Sequence, residues 1–498
     1  MGVKKMGIYS VPAEIRALRP QGTQVKRQGD LFYVYETSST KRKFEDGLGG
    51  FVWKTVTKSG KCIGSITLRD GFIPNNNRLA DDEITVFDYG DYTFAMNSSK
   101  TLAELKGTFN ADDANQIYVA ALITFVNGFT YMQDMSRIFK ESCLCHEFPN
   151  VRVGEDALRT LYENLGKKGG KAKEFQQKLI DSAKKVAFDG HVIACTSENN
   201  DLSAYGYKAA KLNSEQVNWM AAYDIMNRKP IASEMFNGSD PDKTVIQDFF
   251  DRYTFKDTLF IVDRGFNTAA NKKLFSSDGN TYIMPMISNR QDYQWVYERI
   301  KFDKRKCFIY SKDGYSSLIY YQDFKLEKEG KRYLAFLDTT RADAERKTYV
   351  ENIRAGKKGY TEEGLIEHDK DFGLFLLETS DMQKTPKEVF CDYKSRWEIE
   401  TFYNYVDNTL DFNSLYQQDY CRTEGLCFII HITGMIYHEL VELVTPHHLT
   451  LKKVMKTFKG IKLTIEKNAW KLKNYVKEKR QMAEQLNVKF NVPKTSPA

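Results

Sequence analysis

The sequence predicts an α/β protein whose central mixed sheet is covered by helices on both faces. Two short apolar runs, at 186–188 and 260–262, have the length and composition of buried strands. A hairpin pattern at 216–237 and helical patterns at 242–253 and 267–277 lie around them. Strands that interleave with helices in this way are typical of a sheet covered on both sides.

The pattern of the rest of the chain predicts five further regions around the first part of this core, which spans 185–275. Alternating apolar and polar residues predict a β-rich region at the start of the chain. The last strand predicted in this region covers the apolar segment 83–96. Helical spacing follows, with a Gly-Lys break at 166–173. The predicted regions are 1–108 (β-rich), 109–184 (helical), 276–375 (β-rich insertion), 376–445 (second part of the core, helical) and 446–498 (basic helical tail, including a helix over 470–486).

Composition excludes several classes of protein. A hydrophobic share of 42% with 13% aromatic residues excludes wholesale disorder. The chain does not start with an apolar run of the kind found in signal peptides. Its most membrane-like stretch, 427–444, carries two His and two Glu residues, so a packed core helix is predicted. The eight Cys residues form no CxxC pair. We therefore expect a cytoplasmic protein with no membrane partner.

Charge is distributed unevenly along the chain. Residues 446–498 hold 13 Lys or Arg against three acidic residues, and residues 1–61 hold 12 against five. The net charge of these ends is +10 and +7, so the middle carries −10 within the total of +7. Basic ends suit a polyanionic partner, and an acidic middle suits a site that needs cations. Lysine-rich solvated surfaces would explain the ends equally well.

Two aspartates follow the apolar runs directly. Asp189 ends one predicted strand and Asp263 ends the other. If these strands pair, their carboxylates lie close together, and a divalent cation would offset their repulsion. Hard oxygen ligands favour Mg²⁺ or Mn²⁺. Taken singly, each aspartate could instead cap a helix or form a turn.

The segment YKSRWEIE at 393–400 adds a third carboxylate. In a continuous helix, Tyr393, Arg396 and Glu400 fall on one face, at about 100° per residue. That face would bring Glu400 to the two aspartates, where two metal ions could activate a water or a 3′-hydroxyl. Arg396 and Tyr393 would be placed to hold phosphate oxygens. The alternative is an ordinary Arg–Glu surface pair at i, i+4.

These segments resemble the DDE transposases of insertion sequences, of the insertion-sequence-4 type. The helix signature of that group is Tyr, two residues, Arg, three residues, Glu, six residues, Lys. Tyr393, Arg396 and Glu400 match it, whereas Asp407 stands at the lysine position. The resemblance covers roughly 185–445 and rests on VAFDG, FIVDRGF and the helix that follows.

The resemblance implies a ribonuclease-H-like core with a β-rich insertion between the second Asp and the Glu. It implies a catalytic and metal-binding triad of Asp189, Asp263 and Glu400, with Asp201 as the runner-up for the first position. It also implies two Mg²⁺ or Mn²⁺ ions. An acid at Asp407 would repel a DNA phosphate, so a nearby lysine compensates there or activity is impaired.

The implied function is metal-dependent cleavage of transposon ends and strand transfer into target DNA. The implied partners are terminal inverted repeats, target DNA and a second copy of the chain in the DNA complex, with localisation at the nucleoid of a bacterial-type cytoplasm. The alternatives are a catalytically impaired or domesticated DNA-binding relative and a nuclease that cuts without integrating. The residues expected to bind DNA are Tyr393, Arg396, Arg264, Trp295, Lys41, Arg42, Lys43, Lys452, Lys453 and Lys456. Of these, Trp295 is expected to stack on a flipped base.

Overall fold

The structure is a computed structural model, and it describes most of the chain. The described residues are 11–29, 31–45, 51–69, 71–74, 86–197, 199–206, 214–312, 314–327, 330–466 and 469–493. Side chains are described for all of these except 43–45, 51–54 and 73–74. By its internal contacts the chain divides into two units, residues 1–85 and 86–498.

The first unit is a small antiparallel sheet. A short helix α1 (Ala13–Ala17) precedes four strands, β1 (Thr23–Gln28), β2 (Leu31–Glu45), β3 (Phe51–Thr67) and β4 (Gly71–Pro74), which lie in that order in the sheet. A small apolar core is formed by Val11, Ile15, Val25, Val34 and Ile66. Strands β2 and β3 are much longer than β1 and β4, so they continue as a two-stranded ribbon.

The second unit is built on one large mixed sheet. Its central strands are β6 (Lys185–Cys195), β7 (Gln216–Asp224), β8 (Lys229–Asn237), β9 (Leu259–Val262) and β10 (Thr281–Pro285). They lie in the order β8-β7-β6-β9-β10. Strands β6, β7 and β8 are antiparallel neighbours, whereas β9 and β10 run parallel to β6. The predicted α/β class and ribonuclease-H-like core are therefore confirmed.

The β-rich insertion extends this sheet rather than forming a separate one. Its strands are β11 (Cys307–Lys312), β12 (Tyr315–Leu326), β13 (Lys331–Asp338) and β14 (Leu374–Thr379). Strand β14 pairs antiparallel with β10, and the other three follow in the order β13, β12, β11. Strand β10, which the sequence analysis assigns to the insertion, is therefore the fifth strand of the core.

Helices cover both faces of the sheet. On one face Phe188 of β6 packs against Phe249 and Phe250 of helix α9 (Asp242–Arg252). On the other face Trp219 of β7 packs against Phe402 and Tyr403 of helix α15 (Trp397–Asn408). The other helices after the first unit are α2 (Gly90–Ser98), α3 (Thr101–Lys106), α4 (Ala111–Asn127), α5 (Met132–Glu141), α6 (Leu144–Glu147), α7 (Glu155–Leu165), α8 (Lys171–Ser182), α10 (Ala269–Leu274), α11 (Gln291–Glu298), α12 (Thr339–Arg354), α13 (Glu362–Glu367), α14 (Pro386–Lys394), α16 (Tyr420–Val444), α17 (Leu451–Lys459) and α18 (Lys477–Gln485).

Two local predictions are wrong. Only Val86–Asp88 of the segment 83–96 is a described strand, β5, and helix α2 follows it. Residues 90–95 are all buried, so packing on every side overrides the strand propensity. In the tail, strands β16 (Lys462–Glu466) and β17 (Ala469–Lys473) form a hairpin that pairs with β5, and the helix predicted from 470 begins at Lys477.

Helix α16 is the membrane-like stretch of the sequence. Among the described residues, it lies in the one helical segment, Tyr420–His447, that is long and apolar enough to cross a membrane. Inside the protein, 72% of its most apolar window is buried. It packs against α4, α7 and β8, as predicted for a core helix.

Candidate active site

The register of β6 and β9 brings two of the predicted acids together. These strands are parallel, and Val262, the last residue of β9, lies opposite Phe188. Asp263 therefore leaves β9 beside Asp189. The prediction that Asp189 ends its strand is wrong, because β6 continues to Cys195 through its pairing with β7. It is the shorter β9 that ends here and leaves room beside Asp189.

Asp263 begins a tight turn at the edge of the sheet. Its Oδ1 accepts a hydrogen bond of 2.6 Å from the backbone N–H of Arg264, the first residue of a 3₁₀ turn over Arg264–Phe266. The side chains of Asp263 and Arg264 are both exposed. The capping role leaves carboxylate lone pairs available, so a cap and a ligand are compatible at this position.

The segment predicted as one helix over 393–400 is broken. Helix α14 ends at Lys394 and α15 begins at Trp397, with Ser395 and Arg396 between them. The Ser395 hydroxyl donates to the carbonyl of Asp392 at 2.6 Å, which satisfies an acceptor at the end of α14. Both linking residues keep right-handed helical dihedrals, so no extended loop separates the two helices.

Arg396 connects the three acids. Its Nη2 donates to Oε1 of Glu400 at 2.9 Å, and its side chain is only 12% exposed. Burial alone would lower the pKa of the Arg396 guanidinium. The negative charges around it, led by Asp263 and including Glu400 and Asp189, outweigh burial and raise that pKa above its usual value. The guanidinium thus acts as the counterion of the site.

Tyr393 lies beside the same guanidinium. Burial raises the pKa of its hydroxyl, the nearby Asp263 raises it further, and the charge of Arg396 and a hydrogen bond from it lower it. Tyr393, Arg396, Glu400 and the two aspartates therefore meet in one place, as the sequence pattern predicts.

The carboxyl group of Asp189 is harder to ionise than that of a solvated aspartate. Its pKa is raised to about 6, chiefly by burial, while Arg396 lowers it and Asp242 and Glu400 raise it. A carboxyl group in this state gains from any additional cation. Three carboxylates share one guanidinium here, which leaves two charges unbalanced when all are ionised.

The donor set fits a divalent metal ion. Asp189, Asp263 and Glu400 offer only carboxylate oxygens, the ligands that Mg²⁺ and Mn²⁺ prefer. Among the residues that the structure describes, no three acidic, His or Cys side chains are already arranged as a metal-binding group. The Arg396 guanidinium occupies Oε1 of Glu400, so a metal ion that took this oxygen would have to displace the guanidinium.

His191, which was not predicted from the sequence, lies next to the site. His191 Nε2 lies 3.0 Å from Oδ1 of Asp407, and the His191 ring stacks on Tyr403 with a centroid distance of 4.7 Å. The Tyr403 hydroxyl donates to the carbonyl of Asp189 at 2.8 Å. His191 is two residues after Asp189, so alternation along a strand places both on one face. That alternation was the available signal. The partner of Asp407 is thus a histidine instead of the expected lysine.

The remaining predicted DNA-binding residues lie elsewhere. Trp295, on α11, packs against Phe324 with a centroid distance of 5.8 Å and carries the Arg299 guanidinium over its ring at 4.7 Å. On α17, Leu451, Val454 and Phe458 are buried, whereas the exposed face carries Lys452, Lys453 and Lys456.

In the first unit, Lys41 and Arg42 are exposed on β2. Lys43 follows them in the same strand, but its side chain lies outside the described part. Asp201, the runner-up for the first acid, accepts a bond of 3.2 Å from the backbone N–H of Tyr420. That position is the start of α16.

The chain was compared with protein families, curated proteins and solved structures. No curated protein matches the chain. Among solved structures, it is similar to the cryo-EM structure of the piggyBac transposase synaptic complex with hairpin DNA, with a TM-score of 0.37 and 11% sequence identity over 72% of this chain and 75% of that one. The family model of the transposase DDE domain matches residues 181–432, which is just over half of the chain and contains all three acids. The chain therefore belongs to the transposase DDE domain family.

Proposed function

We propose that this chain is a DNA transposase that cuts transposon ends and transfers them into target DNA by metal-dependent phosphoryl transfer. The observation that carries the proposal is the convergence of Asp189, Asp263 and Glu400 on the single guanidinium of Arg396. Membership of the transposase DDE domain family supports it, since this family generally uses divalent metal ions.

Each acid has a structural reason for its place in the proposed mechanism. Strands β6 and β9 fix Asp189 and Asp263 side by side, and α15 delivers Glu400 from the far end of the sequence. These three side chains would hold two Mg²⁺ or Mn²⁺ ions. Divalent cations held there supply charge that favours a deprotonated water or 3′-hydroxyl and offsets negative charge at the phosphorus.

Two successive displacements give the overall reaction. In the first, a water oxygen attacks the phosphorus at the transposon end, the bond from phosphorus to the 3′-oxygen breaks, and a 3′-hydroxyl and a 5′-phosphate result. In the second, this 3′-hydroxyl attacks a phosphodiester of the target, and a target 3′-oxygen leaves.

Arg396 and Tyr393 would position the phosphate. With Oε1 of Glu400 held by a metal ion, the Arg396 guanidinium would be free to donate to phosphate oxygens. The Tyr393 hydroxyl lies next to it and can donate to the same group. Arg264, exposed at the turn after Asp263, is placed to contact the adjoining backbone phosphate.

The remaining parts of the proposal concern partners. Duplex DNA would be held through phosphates by the exposed lysines of α17 and by Lys41 and Arg42. Bringing two ends together would take a homodimer on DNA, and Trp295 would stack on an unpaired base near the cut. The protein would act in the cytoplasm, at the nucleoid.

Strand cleavage on the DNA that flanks the gene tests the proposal. A supercoiled plasmid carrying both flanks is incubated with protein and Mg²⁺, together with a second plasmid as target. We expect nicked and joined products with the wild type and none with Asp263→Ala. Asp248→Ala, which removes an exposed acid of α9, is the matched control and should cut like the wild type.

The products separate the candidate functions. Cleavage with joining to the target supports a transposase. Cleavage without joining would indicate a nuclease of the same fold, and DNA binding without cleavage would indicate an impaired relative. Full activity of Asp263→Ala would overturn the assignment of the acids.

A further inference from the structure

The ribbon of the first unit contributes little to the stability of that unit. Among the described residues, β1 pairs with β2 only as far as Glu36, and β4 pairs with β3 only from Gly64 onwards. Residues 37–41 and 55–59 pair with each other. All of their side chains are exposed or half-buried. A two-stranded ribbon without a core is at best marginally stable in water, so the fold alone does not explain it.

The two faces of the ribbon differ in chemistry. Residues directly opposite each other share a face, and Ser39 Oγ lies 3.2 Å from Thr57 Oγ1. The first face, which we call the hydroxyl face, carries Thr37, Ser39, Lys41, Thr55, Thr57 and Ser59. The second face carries Ser38, Thr40, Arg42, Val56 and Lys58.

The local charge points to an anionic partner. From Thr37 to Lys61 the sequence holds six Lys or Arg residues and two acidic ones. Exposed charges also keep a ribbon edge from pairing with other chains, and that would account for the lysines alone. It would not account for the hydroxyls of Ser39, Thr55 and Thr57, which add no charge and can both donate and accept hydrogen bonds. The other two hydroxyls of this face, those of Thr37 and Ser59, donate to the Gly22 carbonyl and to Oε1 of Gln24.

We propose that this ribbon reads the sequence of duplex DNA by entering the major groove with its hydroxyl face towards the base edges. The proposal depends on the proposed function only in taking DNA as the substrate. The major groove is about 12 Å wide and admits a two-stranded ribbon, whose strands lie about 5 Å apart. Six residues of strand span about 20 Å, which is enough to cross several base pairs.

The side chains divide into two roles. Ser39, Thr55 and Thr57 reach base edges, where hydroxyls both donate and accept, and the Thr methyl groups contact thymine methyl groups. Arg42 and Lys58, on the second face, are long enough to bend back to the phosphates that border the groove. Specificity therefore comes from the hydroxyl face and general affinity from the cations.

A selection experiment tests the proposal with the full chain. Duplexes with 12 randomised base pairs between fixed flanks are bound without divalent cation, recovered and sequenced. We expect the wild type to enrich a motif of several base pairs. The variant Ser39→Ala/Thr55→Val/Thr57→Val should lose at least about tenfold in its preference for that motif over a scrambled duplex, the size of one lost base contact. Its affinity for scrambled DNA should stay within about threefold of the wild type.

The second face supplies a matched control. Ser38→Ala/Thr40→Val removes hydroxyls from the same ribbon and should leave the motif unchanged. Arg42→Ala should weaken binding to all duplexes alike and reduce the slope of log K against log salt by about one. The proposal is overturned if the wild type enriches no motif, if it prefers single-stranded competitor, or if both hydroxyl variants change the motif equally.

The outcome is independent of catalysis. Since binding is measured without a divalent cation, an inactive Asp263→Ala protein should enrich the same motif as the wild type. An active transposase whose motif ignores the hydroxyl face would overturn the ribbon proposal alone. If the ribbon determines the motif but the protein shows no strand cleavage, only the proposed function is overturned.

Discussion

Two clusters of acidic side chains on the large sheet of the second unit each surround one arginine. They differ in exposure and in charge balance. In the first, Asp189, Asp263 and Glu400 come from β6, β9 and α15 and meet at Arg396. In the second, Glu234 of the edge strand β8 pairs with Arg252 of α9. Glu424 of α16 lies next to them and accepts a bond of 2.6 Å from the backbone N–H of Met235.

The second cluster, which we call the closed cluster, has a less exposed acid in Glu234 than the first has in Asp263 or Glu400, although its arginine is the more exposed of the two, at 26% against 12%. Glu234 is 7% exposed, and the Arg252 guanidinium lies over the ring of Phe236 at 5.5 Å. The pKa of Glu424 is raised to about 7, chiefly by burial, which favours its neutral form. The Arg252 guanidinium and the nearby Lys168 oppose that shift, so two cationic groups face the two acids of this cluster.

The first cluster is open and carries more negative charge than its arginine can balance. Asp263 is exposed, and Glu400 keeps a third of its side chain accessible. We expect an arginine among acids to mark a functional site where carboxylates outnumber the cationic groups and solvent can reach them. Four predictions test this distinction.

The largest expected difference is in activity. Glu400→Gln should reduce Mg²⁺-dependent strand cleavage about a thousandfold, the effect of losing several kcal/mol of transition-state stabilisation. Glu424→Gln makes the same chemical change in the closed cluster and should keep activity within a few-fold. Cleavage rates under single-turnover conditions measure both. Equal losses in the two variants would show that the clusters do not differ in function.

The next effect is on stability. Arg252→Met should lower the free energy of unfolding by about 3–4 kcal/mol, because it leaves Glu234 buried without its counterion. Urea denaturation measures this. The double variant Arg252→Met/Glu234→Gln is the control and should recover most of the loss. If it does not, the loss comes from packing on Phe236 and not from the unpaired charge.

Much of the open cluster was predictable from the sequence because its signals are local. The apolar runs before Asp189 and Asp263 indicate strands, and the spacing of Tyr393, Arg396 and Glu400 survives the helix break. The break itself gives no local signal, since the segment contains no Gly or Pro between Lys394 and Trp397.

Other features required tertiary information. The His191–Asp407 pair depends on which strand α15 packs against. The tail hairpin depends on β5, because the edge of β16 that does not face β17 pairs with this strand 374 positions earlier, where Lys462 lies opposite Asp88. The closed cluster was not predicted at all, since Glu234, Arg252 and Glu424 lie in ordinary strand and helix patterns.

The pH dependence of stability should distinguish Glu424 from an ordinary surface glutamate. Its folded pKa of about 7 exceeds the usual 4.5, so the folded protein binds more protons between these values. Stability should therefore fall as pH rises from about 4.5 through 7. Glu424→Gln should remove this fall and be more stable than the wild type at pH 8 by about 1–3 kcal/mol. Parallel pH profiles of unfolding for the two proteins would contradict it.

The smallest expected effect is that of replacing Arg396. It tests whether Arg396 occupies a cation-binding position, whereas Arg252 contributes to packing. Arg396→Gln leaves three carboxylates without a counterion in a partly accessible site, so in EDTA the free energy of unfolding should fall by about 1–2 kcal/mol, less than for Arg252. Millimolar Mg²⁺ should restore that loss, because a ligand that binds only the folded state stabilises it by mass action.

The same Mg²⁺ should stabilise the wild type less, since the metal ion must first draw Glu400 away from the Arg396 guanidinium. Mg²⁺ should not change the free energy of unfolding of Arg252→Met, because the unpaired Glu234 carboxylate is buried. Denaturation of the three proteins with EDTA and with Mg²⁺ measures all of this in one series. If Mg²⁺ stabilises the wild type and Arg396→Gln equally, the guanidinium and the metal ion do not compete. Arg396 would then be a structural counterion like Arg252, and the two clusters would differ only in exposure.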